Sequence, residues 1–157
     1  MTLPFSVIGK RIKHMAIEFV DRYTRSMLRA RPDTLFVFGD NLAQYGRRGQ
    51  AKECRGEPNA VGIPTKKRPS MDENAFFTNA DFAIAKAAID RGFLRLAVHV
   101  REGGVVVMPA NGLGTGLAQL PTRAPMIHAY ILKLTVRLRE VDQESCLARE
   151  PVTVLAS

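Results

Sequence analysis

Two stretches of this chain carry residue types suited to holding an anion. The first, Val105 to Pro121, reads VVVMPANGLGTGLAQLP, with Gly112, Gly114 and Gly116 alternating with Leu113 and Thr115. Glycines this close together let the backbone take positive φ and approach a ligand closely. A glycine loop between a strand and a helix turns backbone N–H groups and a helix N-terminus toward phosphate. The same loop also reads as a plain connection. The second stretch is Leu35 to Gln50, LFVFGDNLAQYGRRGQ, where Asp40 and Asn41 end an apolar run and Gly46 and Gly49 follow. Ligands of open α/β sheets sit beyond the carboxyl ends of strands, although short polar side chains there also cap helices and hold turns. The ligand-facing set is therefore Asp40, Asn41, Gly46, Gly49 and Gln50 from one loop, and Asn111, Gly112, Leu113, Gly114, Thr115 and Gly116 from the other.

Such groups place a ligand well and supply little catalytic machinery. Neither loop contains histidine, and the chain shows no Ser–His–Asp pattern, HExxH or GxxxxGK[ST]. The simplest chemistry is a hydrolysis assisted by Asp40 or Lys66, either of which would need a perturbed pKa. Lys66 follows the run NAVGIPT and either points at a phosphate or is one of three adjacent solvated cations with Lys67 and Arg68. No cofactor is called for. Cys54 and Cys146 lie far apart without metal-ligand spacing, so free thiols and no metal are expected.

The elements that must position these groups follow from periodicity. Leu35–Phe38, Asn59–Thr65 and Val105–Met108 are short apolar runs, the pattern of strands buried on both faces. Pro109 removes a donor and should end the last ladder. A short helix is expected over Gly49–Arg55, and a long one from Thr78 or Asn79 to about Arg101, its core stripe Phe82, Ile89, Phe93, Leu96 and Val100. Gly92 marks a kink or a close approach in it, and His99 near its end reads as structural. A third helix is expected from about Thr122, as cap, to Glu140, with His128 exposed. Phe76 and Phe77 go to the core, with stacking on a nucleobase as the alternative. Ile12–Arg31 suggests one or two short helical pieces, with Met15 an alternative start, and Val152–Leu155 an edge strand or loose end. The fold expected is α/β, a three-layer α/β/α sandwich around a mostly parallel sheet. The partition is a basic extension over 1–20, a single domain over 21–140 and a tail over 141–157.

With 157 residues, 46% hydrophobic and 24% charged, one globular domain is expected. No apolar run approaches the ~20 residues of a membrane span, so no membrane partner is expected and the cytoplasm is the default location. The net charge of +8 gathers partly in Lys10, Arg11, Lys13, Arg22, Arg25, Arg29 and Arg31. That is either a solvated basic face or a nucleic-acid surface, and no RRM, zinc-finger or helix-turn-helix signature decides between them.

GLGTGLAQLPTRAP before an amphipathic helix resembles the second ligand loop of macrodomains, and FVFGDNLAQYGRRGQA resembles their first. The span Asp33–Arg139 also resembles small uncharacterised phage and bacterial proteins carrying FGDN, GIPTK and GLGTG. The resemblance implies a macrodomain-like fold that binds ADP-ribose or a related nucleotide; some macrodomains also remove ADP-ribose from proteins, nucleic acids or metabolites, which leaves binding alone and ADP-ribosyl hydrolysis both open. It implies that Asn41 faces the distal ribose, that Gly46 and Gly49 line its pocket, and that Gly112 to Gly116 hold the diphosphate. The sequence departs from the family in Gly39-Asp40-Asn41, which stands where Asn-Ala-Ala-Asn is usual. It departs again in Arg47 and Arg48, which stand where small residues are usual and would suit a more anionic ligand. The rival reading, from another class, is a basic nucleic-acid-binding accessory protein.

Overall fold

A computed structural model describes residues 15–149. The strands are β1 (Ile17–Val20), β2 (Thr34–Asn41), β3 (Ala60–Lys66) and β4 (Val105–Pro109), all parallel in the order β1-β4-β2-β3. The runs Leu35–Phe38 and Val105–Met108 form the interior strands β2 and β4, whose two faces are both covered, while Asn59–Thr65 forms the edge strand β3. Leu35 and Val37 of β2 point to one side and Phe36 and Phe38 to the other. On the first side lie α3 (Phe82–Arg101) and α5 (Pro125–Arg149), meeting Val61, Ile63, Val106 and Met108. On the other lie α1 (Arg25–Ala30) and the single-turn α2 (Ala51–Cys54), packed with Tyr23 on Phe36, Phe38 and Val107. The layers are thus α/β/α, as expected, with every strand pair parallel.

The stripe on α3 is buried at Ile89, Phe93, Leu96 and Val100, and each such side chain contributes about 1.5–3 kcal/mol. Gly92 faces β3, where any side chain would run into Ile63, so close approach is its reason. A 3-10 turn, Asn79–Asp81, precedes α3. There the Thr78 N–H donates to the Asp81 carboxylate at 2.8 Å. Asn79 instead accepts the Met126 N–H at 3.1 Å, capping the start of α5. His99 Nε2 lies 3.1 Å from the Val105 carbonyl and ties the end of α3 to β4. Phe76 and Phe77 are buried in the core.

Several boundaries differ from the sequence expectation. Residues 17–20, assigned to the extension and to helical pieces, form the edge strand β1, registered on Val106–Pro109. The one short helix nearby is α1, begun by Thr24, whose hydroxyl accepts the Met27 N–H at 3.3 Å. The third helix does not start at Thr122. Leu120–Arg123 is a separate turn, α4, and Pro125 opens α5. That helix runs past Glu140 to Arg149, whose guanidinium reaches the Val100 carbonyl at 3.1 Å and the Arg101 carbonyl. Val141 is buried and Asp142 accepts the Ala16 N–H at 3.3 Å, so the start of the expected tail belongs to the domain. His128 is half-buried rather than exposed. Lys10, Arg11, Lys13 and the segment Val152–Leu155 lie outside the described residues. Among the described residues, no helix is long and apolar enough to cross a membrane.

Candidate functional site

Strand pairing decides where the site lies. β2 and β4 are neighbours, yet their ladder holds only from Thr34↔Val105 to Phe36↔Val107. Beyond that rung β2 continues beside β3 to Asn41, and β4 continues beside β1 to Pro109. The chain leaves β2 toward α2 on one face and leaves β4 toward α5 on the other. This is the strand-order reversal at which α/β sheets form ligand crevices. The loops after Asn41 and after Pro109 therefore face each other across a cleft of about 810 Å³. That volume lies within the range of small-molecule sites.

Arg55, which sequence reasoning missed, organises the first loop. Its Nη2 donates to Asp40 Oδ1 at 2.5 Å and to the Tyr45 carbonyl at 3.3 Å, while Nε donates to the Gly46 carbonyl at 2.7 Å. Asp40 Oδ1 also accepts the Asn41 N–H at 2.8 Å. The carboxylate packs over Gly62, where a Cβ would stand 2.5 Å from Oδ2. Asp40 is thereby committed to an ion pair and is poorly placed as a free base. Gly46, at φ +97°, packs against Pro69, which brings the β3 loop onto the first loop. Gln50 lines the cleft, but its amide is engaged: Nε2 donates to the Tyr23 carbonyl at 2.6 Å and Oε1 accepts the Tyr23 N–H at 3.3 Å.

Asn41 is 6% exposed and lines the cleft. Its Nδ2 donates to the Tyr45 carbonyl at 2.8 Å, which fixes the amide orientation because a carbonyl only accepts. Its Oδ1 has no hydrogen-bond partner among the described residues. A buried acceptor left open costs about 1–3 kcal/mol, and the residue that carries it lines the cleft.

The second loop contributes Asn111, Gly112, Leu113, Gly114 and Gly116 to the cleft. Gly114, at φ +79°, lies against Leu120, where a Cβ would approach Leu120 Cδ1 to 2.6 Å. Thr115 does not line the cleft; its hydroxyl donates to the Asn111 carbonyl at 2.9 Å and shapes the turn from outside. The expected helix N-terminus behind the loop is absent as an anion site. α4 is a single turn, and in α5 Pro125 has no N–H while the Met126 N–H goes to Asn79.

Lys66 reaches the cleft through a β-bulge. The register moves from Asp40↔Pro64 to Asn41↔Lys66, which skips Thr65 and sets Lys66 opposite Asn41. Thr65 Oγ1 donates to the Asp40 carbonyl at 3.2 Å and holds the bulge. Lys66 is 9% exposed, with Nζ donating to the Ser70 carbonyl and lying 4.3 Å above the Phe76 ring. Burial, then the charges of Arg123 and Arg48, lower its pKa from the usual lysine range. Arg123 covers Phe76 as well, at 3.7 Å, so that ring is not free for stacking on a base.

The structure thus brings Asp40, Asn41, Gly46, Gly49, Gln50, Lys66 and most of the second loop into one crevice, and leaves Thr115 outside it. Arg22, Arg48 and Lys52 add exposed cations to its lining. Neither thiol lines the cleft: Cys54 is buried at the end of α2, and burial pushes its pKa up to about 12. No group of three or more potential metal ligands occurs among the described residues. In comparison with known proteins, the model of a family of unknown function (DUF7831) matches residues 18–134. No curated protein and no solved structure matches the chain.

Proposed function

The chain belongs to a family of unknown function (DUF7831), and from the chemistry of its cleft we propose that it binds ADP-ribose or a related nucleotide. The observation that carries this reading is the meeting of the two loops over the β2–β4 opening, in a cleft lined by Asn41, whose Oδ1 has no hydrogen-bond partner among the described residues. Glycine backbone on one wall suits phosphates, and the cations of the other wall balance their charge. The resemblance of GLGTGLAQLPTRAP to the second macrodomain loop points the same way. Isothermal titration of the full chain with ADP-ribose, NAD and cyclic nucleotides tests it. One of these should bind with 1:1 stoichiometry, and Asn41→Ala should weaken that binding by about tenfold. No heat from any of them overturns the reading.

Hydrolysis of an ADP-ribosyl linkage is a second step of the same proposal. It predicts release of ADP-ribose from a modified protein or nucleic acid, lost in Lys66→Ala. Since Asp40 is held by Arg55, Asp40→Ala is expected to lower binding and stability together rather than turnover alone. A nucleic-acid ligand gains support from Arg22, Arg48 and Lys52 around the cleft. A mobility shift that weakens steeply with salt would favour it.

A further inference from the structure

Lys66 is a buried cation whose side chain has no carboxylate within ion-pair distance among the described residues. Its polar contacts are the Ser70 carbonyl and Met71 Sδ at 3.7 Å. The charged groups that act on it, Arg123 and Arg48, are cations. Arg123 is already paired with Glu73 at 2.7 Å, whereas Arg48 lines the cleft and makes no ion pair among the described residues. A site of this kind, positive and partly dry, is completed by an anion.

The bulge supplies the second half of the argument. By skipping Thr65 it makes Lys66 the ladder partner of Asn41. The residue that carries the open acceptor and a cation with no carboxylate partner among the described residues are therefore neighbours on the wall of the cleft. Oδ1 demands a hydrogen-bond donor, and Nζ with the Arg48 guanidinium demands negative charge. A hydroxyl next to a phosphomonoester offers both within one small group.

We propose that Lys66, Arg48 and Asn41 form a subsite for a sugar phosphate, with the phosphomonoester on the two cations and a sugar hydroxyl donating to Asn41 Oδ1. This rests on the cleft being a ligand site and deepens the nucleotide reading. The ligand class becomes a nucleotide, or a fragment of one, with a phosphorylated sugar at this end.

Titration of the full chain with ribose 5-phosphate, inorganic phosphate and ribose, beside ADP-ribose, tests the subsite. Ribose 5-phosphate is expected to bind more tightly than inorganic phosphate, and ribose not at all. Lys66→Met should weaken ribose 5-phosphate at least about tenfold. Because Lys66 also holds the Ser70 loop, Arg48→Gln is the companion variant. Arg48 is exposed and makes no ion pair among the described residues, so that variant should fold normally, weaken ribose 5-phosphate about threefold or more and flatten its salt dependence. Ribose 5-phosphate that fails to bind, or binds Arg48→Gln and folded Lys66→Met as it binds the parent, overturns the subsite. The two readings separate cleanly. ADP-ribose binding without ribose 5-phosphate binding removes the subsite and keeps the nucleotide. Lys66-dependent ribose 5-phosphate binding with no response to any adenine nucleotide does the reverse.

Discussion

Arg55 joins three acceptors that would otherwise splay apart: the Asp40 carboxylate and the carbonyls of Tyr45 and Gly46. Arg55→Met leaves the Asp40 carboxylate, 9% exposed, without its partner. A loss of about 3 kcal/mol is expected in urea unfolding. Arg55→Lys should recover only part of it, because one ammonium cannot reach three divergent acceptors as a guanidinium fork does. A variant as stable as the parent would remove Arg55 from its organising role. The thiols offer a second check at this scale. Cys146 is half-buried, while Cys54 is fully buried with its pKa pushed up to about 12. A thiol reagent at neutral pH should label Cys146 first and Cys54 only on unfolding. Asp40 and Asn41 were legible in the sequence because both are short polar residues at the end of an apolar run. Arg55 was not, since nothing local to it says that a helix end folds back onto the loop before it.

Among the elements, α1 and the segment after α2 are joined through Glu57. Arg25 Nη1 lies 2.6 Å and Arg29 Nη2 3.1 Å from its Oε1. The Arg25 hydrogen bond is the largest of the effects that lower the Glu57 pKa below its usual 4.5. A carboxylate with a depressed folded-state pKa contributes stability above its unfolded pKa and loses it as pH falls through the folded one. The Tm of the parent should therefore fall faster below pH 4.5 than that of Glu57→Gln. Parallel pH curves would dismiss the bridge. The strands over Leu35–Phe38 and Val105–Met108 were readable because continuous apolar runs suit a sheet covered on both faces. β1 was not readable. It has four residues, its burial alternates weakly, and it becomes a strand only against β4. The bulge at Thr65 was equally hidden, because register is a property of two strands and not of one.

At the scale of the whole molecule, two apolar clusters share a single sheet. Thermal unfolding is expected to be one cooperative transition by both near- and far-UV circular dichroism. The domain boundary expected at 140 also bears on the whole. Ending the chain there removes buried Val141, the Asp142 bond to Ala16 and the Arg149 contacts with the end of α3. The shortened chain should lose about 2 kcal/mol or more and melt several degrees lower. An unchanged Tm would return residues 141–149 to the status of a tail. The sequence did carry the α/β layering and both cleft loops. It did not carry the end of the last helix, because the acidic composition past Glu140 looks like solvated chain until the α3 terminus is seen to need Arg149.

The parting of β2 from β4 beyond the Phe36–Val107 rung is set when the sheet forms. On the proposed reading, a solute meets a cleft already formed among the described residues. Capture should then be a single kinetic phase whose observed rate climbs in direct proportion to solute concentration, with no plateau. Salt would slow it, since cations around the entrance speed the arrival of an anion.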